Sequence, residues 1–309
     1  MLAIYKNTEQ GLQRFDDVIN GCWINAVEPT PDEIAQLQAW GIETDLINYS
    51  LDQDEMAHME RDENYVFILL RIPYFQGSGT DIPHITIPLG IILTDRFVVT
   101  ICRYENDIVR ALCNGKYRGL KTAKRYRFAL YVFLETALRY LSYLREINRI
   151  TEALEDQLQL STRNREVLEL LKVQKSLVYF TTGLRSNQVL MERLQRVRMF
   201  NQFEEDQELL EDVITENQQA IEMTNIQTSI LNGLMDAFAS IISNNLNTVM
   251  KALAALTIII NVPTIVASFY GMNVSLPVQE HPHAFFIVLG ISMLLVAVAV
   301  FVFIKRDWF

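Results

Sequence analysis

Between residues 22 and 104 four runs hold apolar residues with few breaks: CWINAV, NYVFILLRI, ITIPLGIILT and RFVVTICRY. Their length, Val/Ile/aromatic content and flanking turn residues predict β-strands. After the first run, PDEIAQLQAW spaces its apolar positions for a helix, with Pro31 at the first helical position and Thr30 as its cap. Residues 1–122 are therefore expected to form a mixed α/β domain.

From about Thr122 the pattern changes to apolar residues three and four apart with almost no Gly or Pro, which predicts long helices. Two, about 124–158 and 162–200, fill an expected antiparallel helical region over 123–203. A third runs from Glu205 to Tyr270, interrupted only by Gly233 and Pro263. About 66 helical residues would reach roughly 100 Å. Positions 210, 214, 217, 221, 224, 228, 231, 235, 238 and 242 of this helix approximate a heptad seam, so it should pack on neighbouring helices.

The end of that helix is apolar over 19 residues, Ala252–Tyr270, and a second run, Ala284–Ile304, has no charge over 21. Both lengths suit a bilayer core, so two transmembrane helices are expected. The preceding stretch, 204–251, is then a stalk, 271–283 an outer loop and 305–309 a tail. Lys251 lies before the first span and Lys305 and Arg306 after the second, whereas the loop has no Lys or Arg. The positive-inside rule puts both termini in the cytoplasm.

One face of the long helix, read at 236, 240, 243, 247, 250, 254, 257, 261, 264 and 268, is Asp, Ser, Ser, Asn, Met, Ala, Thr, Asn, Thr and Ser. Thr257, Asn261, Thr264 and Ser268 carry this polar stripe through a segment otherwise made of apolar residues. Polar groups at membrane depth are tolerated where they meet protein or water. Two readings stay open: hydroxyls bonded back to their own helix, or the wall of a water-filled path. One such helix encloses nothing, so a path requires several identical chains around an axis.

The formal net charge of −10 disfavours nucleic acid and suits a protein that handles cations. Cys22, Cys102 and Cys113 follow no metal-binding or disulfide pattern. The N-terminus lacks the basic and apolar regions of a signal peptide, so the bulk of the chain is expected to be cytoplasmic. No phosphate-binding GxxxxGK[ST] loop is found, and no nucleotide, organic cofactor or enzymatic activity is expected. The acids Glu204, Glu205, Asp206, Glu208, Glu211, Asp212 and Glu216 crowd the start of the long helix, and no Lys or Arg occurs from 204 through 250. They form either a solvated face or a place where a divalent cation relieves repulsion. In the loop, Glu280 suits cation steering, while His281 and His283 have no third metal ligand in view.

YGMN directly after an apolar helix, a short loop, a second terminal span and a tail with Lys305 and Arg306 together resemble the CorA magnesium channel family. The likeness runs back through NTVMKALAALTII, LLKVQKSLVYFTTGLR, ENYVFILLRIP and WINAVEPTPDEI, and so covers nearly the whole chain. It implies a funnel-shaped homopentamer in the cell's inner membrane, with a cytoplasmic α/β domain, a ring of stalk helices and a pore lined by the first span. Gly271, Met272 and Asn273 would form the selectivity filter, where carbonyl and carboxamide oxygens hold the water shell of Mg²⁺. Gly and Asn at that place also suit a left-handed helix cap. The family's pore-facing positions fall on Asn247, Met250, Leu253, Asn261 and Thr264, of which all but Leu253 lie on the polar stripe. The position of Asn261 is more often methionine in the family.

The implied activity is passive, potential-driven uptake of Mg²⁺, with Co²⁺ and Ni²⁺ as further ions, gated by Mg²⁺ bound between cytoplasmic domains. Asp212 and Asp236 match acids of the stalk, whereas the partner aspartate of the sensor falls on Tyr49, with Asp52, Asp54 and Glu55 nearby. Two alternatives stand beside this reading. One is a ZntB-like transporter of Zn²⁺ or another divalent ion, and the other a membrane-anchored coiled-coil protein that conducts nothing.

Overall fold

The computed structural model describes residues 1–9, 11–117, 119–160, 164–200, 202–278, 280–306 and 308. By its internal contacts the chain divides into two compact units, Met1–Gly233 and Leu234–Phe309.

The first unit is built on a seven-stranded sheet of β1 (Leu2–Thr8), β2 (Gly11–Phe15), β3 (Cys22–Val27), β4 (His58–Arg61), β5 (Tyr65–Phe75), β6 (His84–Thr94) and β7 (Phe97–Cys102). Its order is β2-β1-β3-β7-β6-β5-β4. Every neighbouring pair is antiparallel except β3 and β7, which pair in parallel with Cys22 opposite Phe97. The four expected strands are its centre. They read as near-continuous apolar runs because both faces of the sheet are covered. Val66, Ile68, Leu70 and Ile72 of β5 enter one core cluster, and Phe67 and Leu69 enter the other.

Helices α1 (Pro31–Ala39) and α2 (Thr44–Leu51) supply Leu37, Leu46 and Ile47 to the second cluster. Thr30 caps α1 as expected: its hydroxyl accepts from Glu33 N at 3.3 Å, and Glu33 Oε2 accepts from Thr30 N at 2.9 Å. Such a reciprocal box satisfies two end donors at once. At Gly90 an added Cβ would lie 1.8 Å from Ser50 Oγ of α2 and 2.7 Å from Ser50 Cβ. Gly90→Ala is expected to destabilise the chain by about 2 kcal/mol through overpacking, read as a lower melting temperature with unchanged secondary structure.

The other sheet face carries α3 (Asp107–Cys113), α4 (Arg125–Leu160) and α5 (Asn164–Gln195), followed by a short 3₁₀ turn at Arg198–Phe200. Phe128 and Phe133 of α4 and Leu190 and Met191 of α5 lie in the first cluster. Asn187 of α5 holds the β5 backbone on both sides, accepting from Arg71 N at 2.9 Å and donating to the Arg71 carbonyl at 2.7 Å.

Helix α6 (Glu204–Tyr270) is continuous over 67 residues, with Pro263 inside it. The heptad expectation holds on one row and shifts on the other. Leu210, Asn217, Thr224 and Leu231 are buried, but the second inward row is Val213, Ala220 and Gln227. Ile214, Ile221 and Thr228, one residue on, are only half-buried. The larger branched side chains flank the contact, and the smaller or more flexible ones fill its centre. Helix α7 (Ala284–Lys305) completes the chain. α6 and α7 each contain a segment long and apolar enough to cross a membrane.

Candidate functional site

In the second unit, α6 and α7 share an apolar cleft lined by Pro263, Val266 and Tyr270 on one side and Val288, Leu289 and Ser292 on the other. This identifies the face of α6 that turns toward α7, which also includes buried Ala255 and half-buried Ile259 and Val262. The polar stripe lies on the opposite face. Asn247, Met250, Leu253, Thr257, Asn261, Thr264 and Ser268 are all exposed in the single chain.

The hydroxyls on the stripe bond back to their own helix: Thr257 Oγ1 donates to the Leu253 carbonyl at 2.8 Å and Thr264 Oγ1 to the Ile260 carbonyl at 3.1 Å. That answers the donor of each hydroxyl and leaves its lone pairs facing outward. The Thr264 bond sits next to the Ile259 carbonyl, whose usual helical donor is lost because Pro263 has no N–H. Among the described residues, no hydrogen-bond partner faces the carboxamides of Asn247, Asn261 and Asn273. The first reading of the stripe thus holds for Thr257 and Thr264, while the carboxamides of Asn247 and Asn261 are exposed in the single chain.

At the end of α6, Gly271 N–H donates to the Ala267 carbonyl at 2.9 Å and Met272 N–H to the Phe269 carbonyl at 3.1 Å. The left-handed cap does not occur, since neither Gly271 nor Asn273 has a positive φ. A Cβ added at Gly271 would meet the Ala267 and Ser268 carbonyl oxygens at 3.4 and 3.6 Å, ordinary contact distances. Folding of one chain therefore does not require glycine there. Without a Cβ, Gly271 leaves its own carbonyl clear of a side chain. Tyr270 fixes the loop, its hydroxyl donating to the Pro277 carbonyl at 3.1 Å. Met272, Asn273 and Glu280 are exposed. The rings of His281 and His283 lie 5.9 Å apart, and His281 Nδ1 is occupied as acceptor for His283 N–H at 3.2 Å.

The residues that the resemblance implied for a metal sensor are partly used by the fold. Tyr49 packs edge-on against His58, with ring centroids 5.8 Å apart, and lies 6.3 Å from Phe67. An aromatic core contact thus stands where an acid was implied. Asp52, Asp54 and Glu55 lie on a segment held by buried Arg71, which donates to the Gln53 and Glu55 carbonyls at 2.6 and 2.9 Å. Burial pushes the Arg71 guanidinium below its ordinary pKa, and nearby Asp54 and Asp52 partly offset this. Asp212 and Asp236 are exposed on α6. Among the described residues of one chain, no three or more His, Cys, Asp or Glu come together as a metal site.

The acidic start of α6 is not wholly a solvated face. Arg127 of α4 pairs with Glu205 at 2.5 Å and also with nearly buried Asp206. The hydrogen bond to Asp206 is the main cause holding the Arg127 guanidinium above its ordinary pKa. This pair is not legible in the sequence, because its members lie 79 positions apart and neither carries a local signal.

Comparison with known proteins places this architecture. The cobalt/magnesium transport protein CorA of Methanocaldococcus jannaschii is 30% identical over 298 residues, spanning 93% of this chain and 90% of that protein. The complete structure of the CorA magnesium transporter from M. jannaschii superposes with a TM-score of 0.86 at 23% identity, covering 100% of this chain and 99% of that one. More distant in fold is the ZntB cytoplasmic domain from Vibrio parahaemolyticus, with a TM-score of 0.62 at 9% identity over 78% of this chain and 98% of that one. The family model described as CorA-like Mg²⁺ transporter protein matches residues 20–306. With that match over most of its length, the chain belongs to the CorA family.

Proposed function

We propose that this chain assembles as a homopentamer whose α6 helices line a cation path, and that it mediates passive Mg²⁺ uptake across the inner membrane with both termini cytoplasmic. The observation that carries this reading is the exposed stripe on α6, opposite α7, with unmet carboxamides at Asn247 and Asn261 and ending at Gly271–Asn273. A polar line of this length is costly against lipid and is stabilised where copies of it surround water. Gly271, Met272 and Asn273 form the outer filter, and Glu280 draws cations toward it.

Mg²⁺ keeps much of its water shell, so neutral oxygens that bond those waters select it without trapping it. A doubly charged ion gains about 4.6 kcal/mol per 100 mV of inside-negative potential, enough to drive accumulation. Divalent ions at the cytoplasmic side set the gate. The relative whose name includes cobalt supports Co²⁺ as a second permeant ion.

The test is influx into liposomes holding the purified chain, with an imposed potassium diffusion potential and Mg²⁺, Co²⁺, Ni²⁺ or Zn²⁺ outside. Mg²⁺ influx that rises with inside-negative potential is expected. Transport of Zn²⁺ in preference to Mg²⁺ would favour the ZntB-like alternative, and no flux of any ion the membrane anchor. Within the path, Asn261→Met replaces a hydrated ring by an apolar one. It is expected to lower Mg²⁺ influx several-fold and leave the ion order unchanged; equal flux would contradict a role for Asn261 in the path.

A further inference from the structure

Beside the cleft that reaches Tyr270, α6 and α7 form a second one, which shares Pro263, Leu289 and Ser292 with it and runs along α7 to Val300, Phe301 and Ile304. Its wall is almost entirely α7, with Pro263 the residue that α6 supplies. Near Lys251 the covered positions of α6 are Ala252 and Ala255, whose short side chains fill little of the space beside α7. From Leu289 to Ile304 the cleft follows about 22 Å of helix, more than half of a hydrocarbon core about 30 Å thick.

The two helices run antiparallel with equal rise, since Tyr270 shares the first cleft with Ala284 and Phe285, and Pro263 shares both with Ser292. Twelve residues from Pro263, α6 reaches Lys251, and twelve from Ser292, α7 reaches Ile304. Each step is about 18 Å. Lys251, Lys305 and Arg306 therefore lie at one depth, where the second cleft ends. All three are exposed, and among the described residues none of them forms an ion pair. Trp308 turns the tail back onto α7: its N–H donates to the Phe303 carbonyl at 3.1 Å, and its ring stacks on Phe303 with centroids 5.2 Å apart. An indole thus joins the three cations at the depth where lipid headgroups lie.

Positive charge at this end is what membrane orientation requires. Orientation does not require an apolar cleft that opens onto the charges. An anionic phospholipid matches both, with an acyl chain for the cleft and a net negative headgroup for three unpaired cations. A zwitterionic lipid fills the cleft equally well but brings a cation of its own to the charged end. We propose that this cleft seats an anionic phospholipid of the leaflet on the Lys251 and Lys305 side, its phosphate at Lys251, Lys305 and Arg306 and an acyl chain against Met293, Ala297 and Phe301. The proposal requires that α6 and α7 cross a bilayer, and it does not rest on the chain conducting ions.

The experiment places a fluorescent reporter in the cleft of the full chain, Phe301→Trp, with Trp308→Phe so that the other tryptophans, Trp23 and Trp40, lie in the first unit. The chain is reconstituted at low salt in phosphatidylcholine liposomes that hold a small fraction of dibrominated phosphatidylglycerol or, in parallel, of dibrominated phosphatidylcholine. Bromines quench a tryptophan that they touch. Quenching is expected to show a preference for phosphatidylglycerol of about threefold or more, reduced toward one by high salt. Adding Lys251→Gln, Lys305→Gln and Arg306→Gln is expected to abolish the preference while phosphatidylcholine still quenches. Equal quenching by both lipids in the chain that keeps its three cations overturns the site and leaves an ordinary lipid-facing surface. Quenching by neither lipid also overturns it, and assigns the cleft to a second copy of the chain. These two outcomes decide even where the triple variant fails to insert. A preference that survives the three changes overturns the assignment of the phosphate to these cations.

Discussion

Asn273→Ala is expected to lower Mg²⁺ influx into liposomes by about 10- to 100-fold. The carboxamide of Asn273 stands exposed just beyond the end of α6, with no partner of its own among the described residues. In the proposed assembly its carboxamide oxygen accepts hydrogen bonds from the water shell of the entering ion. A hydrogen bond to a charged partner contributes on the order of 1.5–3 kcal/mol, which corresponds to that range of rate. Alanine removes the group without altering the Gly271 and Met272 contacts to the helix end. Assembly and melting temperature should therefore be unchanged while flux falls. Asn273→Asp is a useful contrast: it adds negative charge, so ion affinity should rise and release slow, seen as saturation at lower Mg²⁺.

The second large effect concerns stability. Arg127→Ala removes the partner of Asp206, whose carboxylate is almost fully buried at the first turn of α6. Truncating one member of a buried pair leaves the other charge uncompensated, at a cost of about 3 kcal/mol. The melting temperature of the detergent-solubilised protein should fall by roughly 6–10 °C. The partly exposed contact to Glu205 adds little to this. Replacing both members, Arg127→Met with Asp206→Leu, should restore part of the loss, since no charge is then stranded. A double variant as unstable as Arg127→Ala would show that the arginine stem, not the ion pair, carries the contact.

What could be read before the fold was known follows from how local each signal is. The strands around β5, β6 and β7 were legible because two-sided burial writes long apolar runs. β2 and β4 were not, since an edge strand such as HMER is short and half exposed and offers no periodicity to detect, and β1, although inside the sheet, has only two buried residues. The parallel β3–β7 pairing joins residues about 75 positions apart and has no sequence signature. The stripe on α6 was legible because helical period alone decides which residues share a face. The correct second row of the seam was not, because Ile214 and Val213 are equally apolar and only the shape of α4 and α5 chooses between them. Similarly, the acids Glu205 and Asp206 look like their neighbours in sequence, and a distant arginine sets them apart.

In the proposed assembly the exposed face of α6 surrounds water and the opposite face does not. Single cysteines at Thr257, Asn261 and Thr264 on the stripe, and at Val262 and Val266 on the face toward α7, place the question at individual positions. Each variant is treated in liposomes with a charged, membrane-impermeant thiosulfonate while Mg²⁺ influx is followed, in a Cys113→Ser background. Modification is expected to block influx at 257, 261 and 264 and to leave it unaltered at 262 and 266. Block at both sets alike, or at neither in chains that do conduct, would contradict it.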